Sequence, residues 1–252
     1  MAREIESPEV IPGRMPIMSH LREMRDRITK SAIALAVGIA IGFIFCPQII
    51  EILKAPAGNI QLQAIELLEN LSVYFKVALA GGLIIAMPFL VYQMIAFAAP
   101  GLTPRERGYI YRILPAVTIM FIGGVAFAYF VALPPALDFM KNFMSNIAEP
   151  QIRISNYIDI VVRLIVAVGI VFETPIIIMF MARMGLVSPQ WLARRRRLWV
   201  VLAFVIAAII TPTFDPINQC IIAIPLLILL ELSILLARFV YKKRGEAVPA
   251  ET

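Results

Sequence analysis

The chain has 252 residues, 60% of them hydrophobic and only 16% charged, with a formal net charge of +6. Soluble domains are nearer half apolar and a quarter charged, so an ordinary water-soluble fold is excluded and an all-α polytopic membrane protein is indicated. One His and two Cys, with Cys46 and Cys220 far apart at the ends of apolar runs, leave no material for a metal site or a disulfide framework.

Residues 1–16 are polar, contain Pro8, Pro12 and Pro16, and lack the apolar core of a targeting segment. They read as a disordered tail. The stretch "IMSHLREMRDRI" follows, with Ile17, Leu21, Met24 and Ile28 on one helical stripe. It leads as an amphipathic helix into the first of six spans, 28–46. Glu23 stands four residues before Arg27 and Arg22 four before Asp26, the spacing of surface ion pairs. Pro47 and Pro56 then bracket "QIIEILKA", an amphipathic helix suited to the membrane interface. The other spans are 71–98, 109–133, 156–182, 198–211 and 217–236.

Between spans two and three, Thr103, Pro104 and Glu106 have the spacing of a capping box with proline at the first helical position. Ser188 and Pro189 open another helix, which runs into four consecutive arginines, 194–197, suited to lipid headgroups. Pro88, Pro115, Pro175 and Pro225 lie inside spans and bend them, which favours a curved or concave arrangement over a straight bundle. Gly81-Gly82 and Gly123-Gly124 are positions for close helix packing.

Charge distribution orients the spans. The termini and the loops on their side hold eighteen Lys or Arg, and the opposite loops hold three. Both termini are therefore expected in the cytoplasm. The positive charge reports this orientation and contact with anionic lipid, and not a nucleic-acid partner. No phosphate-cradling glycine loop appears.

Spans five and six are short. Residues 198–211 reach about 21 Å as a helix, against a hydrocarbon core of about 30 Å. Only eleven residues separate Gln219 from Glu231 in span six. Such a hairpin, closed by "TPTFDP", must thin the bilayer or shelter against a partner.

Polar groups also stand inside the spans. Asp159 precedes Arg163 by four, an i,i+4 pair near the outer surface. Lys76 lies near the outer start of span two, seven residues after Glu69. Glu173 is deeper, ten residues before Arg183, or about 15 Å from the inner end. Pro175 follows it and frees the carbonyl of Val171. Two readings stand for Glu173: a carboxyl bonded to its own bent backbone, or a group facing a water-containing cavity.

The stretches "HLREMRDR", "FAAPGLTPRER", "FETP" and "TPTFDPINQ…AIPLLILLE", in this order and spacing from about His20 to Arg238, resemble the TatC family. That family supplies the core membrane subunit of the twin-arginine translocase. Met24 stands where leucine is commoner, and Arg105 replaces a frequent histidine. The resemblance implies a six-helix, glove-like membrane domain over 17–238 with a cytoplasmic tail over 239–252. It implies an inner-membrane receptor for twin-arginine signal peptides of folded proteins, working with the single-span partners TatA and TatB and driven by the proton-motive force. No cofactor and no metal are implied, and self-association is left open. By the same resemblance, Glu23 and Glu106 bind the signal peptide and Glu173 is the intramembrane polar group. Thr211 and Gln219, with Asp215 in the turn, dock a partner helix.

Two rival classes fit less well. A proton-coupled solute carrier would use Glu173, but carriers show internal repeats, and the long second and third spans have no counterpart in the short fifth and sixth. An intramembrane enzyme would need paired catalytic groups within the spans. The sequence offers none, and its single histidine, His20, lies before span one.

Overall fold

The computed structural model describes residues 17–58, 61–98, 104–142, 152–211 and 215–241, with the side chains of 17, 19, 20, 98 and 104–113 outside the description. The expected tail over 1–16, Thr103 of the capping box and residues 212–214 of the hairpin turn lie outside the described residues. The described helices are α1 (Ile17–Ile44), α2 (Cys46–Lys54), α3 (Glu69–Ala98), α4 (Pro104–Phe127), α5 (Leu133–Asn142), α6 (Ile154–Phe172), α7 (Thr174–Arg183), α8 (Pro189–Arg194), α9 (Arg196–Ile210) and α10 (Pro216–Val240). Among the described residues, five stretches are long and apolar enough to cross a membrane: Leu21–Ile44, Glu69–Phe97, Leu114–Asn142, Ile154–Arg183 and Pro216–Val240. Helix α9, at 15 residues, is the short one and spans only about 22 Å. Helix α10 runs 25 residues, so it is short only in its uncharged stretch between Gln219 and Glu231.

Small residues set the α1–α3 contact. Gly38 and Gly42 of α1 lie against Ala78, Gly82 and Ala86 of α3. A Cβ on Gly82 would collide with the backbone of Ile39, so the two helices touch backbone to backbone. Gly124 plays the same part against Phe172 and Gly169 of α6, whereas Gly123 has no neighbour at its Cβ position among the described residues. The stripe of Leu21, Met24 and Ile28 is turned outward and stays exposed.

Helix α2 is held on the bundle by two tyrosines. Tyr129 and Tyr157 donate their hydroxyls to the carbonyls of Ile52 (2.8 Å) and Leu53 (2.7 Å), at the end of α2 where helical carbonyls lack donors. Buried Cys46 directs its thiol to the carbonyl of Tyr74 at 3.2 Å and packs in the core, as a small apolar residue would.

Span three continues past the expected end at 133. A π-helical turn, Ala128–Ala132, joins α4 to α5, with Leu133 donating to the carbonyl of Ala128. Pro134 and Pro135 then sit in the first turn of α5, where missing N–H groups cost little. The wider turn thus absorbs a proline pair that otherwise ends a helix. Pro88, Pro115 and Pro225 are likewise contained within α3, α4 and α10. Pro175 does break its helix: α6 ends at Phe172 and α7 starts at Thr174, with Glu173 between them.

Across from the basic loops, two-residue strands β1 (Leu62–Gln63) and β2 (Ile152–Arg153) pair in parallel. Buried Glu69 ties them down. Its carboxylate accepts from the backbone N–H of Ile65 (2.8 Å), Glu66 (3.2 Å) and Ser155 (3.1 Å), and lies 3.4 Å from Arg153. The expected pair of Asp159 with Arg163 is not formed. Asp159 bonds Lys76 of α3 at 2.8 Å instead, and Lys76 also reaches Ser155. The α3–α6 packing brings that ammonium to Asp159 and leaves Arg163 exposed.

At the basic end, Ser188 caps α8 by accepting from the N–H of Trp191 at 3.1 Å. Two of the four arginines have partners among the described residues. Arg195 lies over the Trp191 ring at 4.8 Å, and Arg196 forms a two-point pair with Glu231 of α10 at 2.8 Å.

Candidate functional site

Glu23 lies on α1, one turn before Arg27. Its Oε1 accepts from Arg27 Nε at 3.0 Å and Nη2 at 2.7 Å. The third donor of that guanidinium, Nη1, reaches Oε1 of Gln93 on α3 at 3.2 Å. Glu23 and Arg27 are each about a quarter exposed, and Gln93 is buried. The i,i+4 spacing anticipated the ion pair. Gln93 was missed, and its only signal was a lone amide in the apolar run "VYQMIAF".

The register of α1 on α3 places Glu23. Gly42 lies against Ala78, Gly38 against Ala86 and Arg27 against Gln93, so the helices run antiparallel. Glu23 is then level with the last residues of α3. Helix α4 begins at Pro104, with Glu106 in its first turn. The two carboxyl-bearing positions therefore both lie toward the C-terminal end of α3, Glu23 across from it on α1 and Glu106 in the helix that follows, although the Glu106 side chain is outside the described residues.

Glu173 is only 1% exposed. Spacing puts it on one face with Gly169, Ile176 and Phe180. Gly169 abuts Phe121 and Val125 of α4, while Ile176 and Phe180 pack with Val91, Ile95 and Val117 of α3 and α4. The carboxyl thus enters an apolar interior, and neither of its oxygens has a hydrogen-bond partner among the described residues. The bent backbone does not satisfy it. Its own N–H goes to Ile170, and its carbonyl accepts from Ile176 and Ile177. A cavity of about 190 Å³ between α7, α9 and α10 is lined by Val171 and Thr174 on either side of it, but not by Glu173 itself.

The hairpin polar groups are engaged within the hairpin. Thr211 is buried and donates to the carbonyl of Ala207 at 2.7 Å. Gln219 Nε2 crosses from α10 to the carbonyl of Phe204 on α9 at 2.9 Å. Asp215 caps α10 by accepting from the N–H of Asn218 at 3.1 Å. Asn218, which the sequence reading passed over, is 4% exposed, and its amide nitrogen has no partner among the described residues. Its spacing from Ile222, Leu229 and Ser233, all buried on one face, was the available signal.

Comparison with known proteins decides the family. The sequence model described as "Sec-independent protein translocase protein (TatC)" matches residues 19–225. This chain belongs to the TatC family. The match spans all six positions singled out above. A TatC protein of Koribacter versatilis is 39% identical over 97% of this chain and 94% of its own length. One from Aquifex aeolicus is 39% identical over 92% and 98%. A solved structure described as a twin arginine translocase receptor, TatC, superposes with a TM-score of 0.76 at 39% identity, covering 88% of this chain and 99% of that one. As a TatC-family member the chain is a multi-pass bacterial membrane protein, a component of protein translocation and not an enzyme.

Proposed function

We infer that the chain is the receptor subunit of a twin-arginine translocase, with signal peptides bound at its cytoplasmic, basic end through Glu23 and Glu106. The observation that supports this most is the Glu23 carboxylate, which already receives a guanidinium through two of its nitrogens. That is the chemistry a signal arginine requires, and a lysine ammonium cannot reproduce the fork. Glu106 adds a second carboxylate at a helix N-terminus, where negative charge is stabilised. The test is a titration of the reconstituted protein with a twin-arginine peptide. Glu23→Ala and Glu106→Ala should each weaken binding roughly tenfold or more, as loss of a hydrogen bond to a charged group does. Unchanged affinity in both single variants and in the double variant would contradict the assignment.

Single-span partners of the TatA and TatB type dock on the α9–α10 hairpin in this reading. A helix of 15 residues leaves the bilayer thin beside it, and Thr211, Gln219 and Asn218 place polar groups in that layer. Glu173 is the group that proton-driven transport would use, since a buried carboxyl is costly and this one has no hydrogen-bond partner among the described residues.

A further inference from the structure

We propose that Arg27 is an internal ligand of the Glu23 site, which a signal arginine must displace, and that it thereby sets the affinity of the receptor. This rests on the reading that Glu23 takes a signal arginine. Arg27 holds Glu23 in the way an incoming guanidinium would, with Nε and Nη2 both on Oε1. A ligand arginine cannot take the same oxygen in the same geometry while Arg27 remains. Gln93 makes the exchange inexpensive. It bonds Nη1, the one guanidinium nitrogen that does not serve Glu23, so Arg27 keeps an anchor on α3 after release. The pair is partly exposed, and exchange of one guanidinium for another conserves the charge-assisted bonds at Glu23.

Competition of this kind has a defined signature. An internal ligand reduces the fraction of receptor open to any peptide that needs Glu23, and so weakens every such peptide by the same factor. It does not change the ratio between peptides. A residue that merely orients the carboxylate does the opposite: its removal weakens binding and alters the discrimination between arginine and lysine.

The experiment is a titration of the full chain in lipid nanodiscs with a twin-arginine peptide and its twin-lysine version. For Arg27→Gln, both peptides should bind roughly two- to fivefold tighter, the range open to a partly exposed ion pair, at an unchanged ratio. Arg27→Lys, which keeps a cation but loses the fork, should move the same way by less, and it carries the test if the Gln variant does not fold. Combined with Glu23→Gln, Arg27→Gln should have no further effect. Weaker or unchanged binding by Arg27→Gln, or by Arg27→Lys where that variant stands in, would overturn the proposal. Wild-type affinity in Glu23→Gln would instead overturn the Glu23 reading beneath it.

Discussion

At the scale of single residues, the contrast between Glu69 and Glu173 separates structure from function. Both are buried carboxyls. Glu69 accepts three backbone N–H bonds and fastens β1 and β2, which accounts for it fully. Glu173 makes no such bond among the described residues. A buried polar group left unpaired costs about 1–3 kcal/mol. Replacing Glu173 by Leu should therefore leave the protein as stable or raise its stability by about that amount, while protein export falls. Thermal unfolding in nanodiscs, read beside a transport assay, checks this. A Leu variant that loses stability would show that the carboxyl has a structural bond and would remove the reason for assigning it to transport.

At the scale of elements, glycines with neighbours and glycines without behave differently. Gly82 meets the backbone of Ile39, so a methyl group there must push α1 from α3. Because α1 packs chiefly on α3, and Arg27 reaches Gln93 across the same contact, separation also loosens the Glu23 site. Gly82→Ala should destabilise by roughly 2 kcal/mol, as overpacking does. Gly123→Ala adds its methyl to open space and should be neutral or stabilising by up to about 1 kcal/mol through helix propensity. Unfolding of the two variants side by side decides it. Equal effects would mean that the close approach is not what holds α1. The sequence showed both glycine pairs alike, because which member of a pair faces a neighbour depends on the rotation of the helix in the bundle.

At the scale of the whole molecule, lengths and one helix cap were legible and cross-helix partners were not. Apolar run lengths located the spans, and the brevity of residues 198–211 already marked the short helix, because bilayer thickness acts directly on each segment. The Ser188 cap and the amphipathic α2 follow from local chemistry. Asp159 was assigned to Arg163 because both lie on one helix, and the packing of α3 on α6 gave it to Lys76. The expected end of span three at 133 is carried through by a π-helical turn that leads into α5. Gln93 and Asn218 matter only through neighbours that tertiary register supplies. In the candidate site, the Glu23–Arg27 spacing was readable along one helix, while the link to α3 that places it at the end shared with α4 was not.

The central claim is that the signal peptide docks at the basic end, between α1 and the start of α4, and not along the short hairpin at the other end. Disulfide mapping tests this most directly, in a background lacking Cys46 and Cys220, the two native cysteines. A twin-arginine peptide with a cysteine beside its arginine pair should be captured by cysteines placed at positions 22 and 105, next to the intact Glu23 and Glu106, and not by one at 219, while a single-span partner should be captured at 211 or 219. Capture of the arginine end at 219, with none at 22 or 105, would contradict the account.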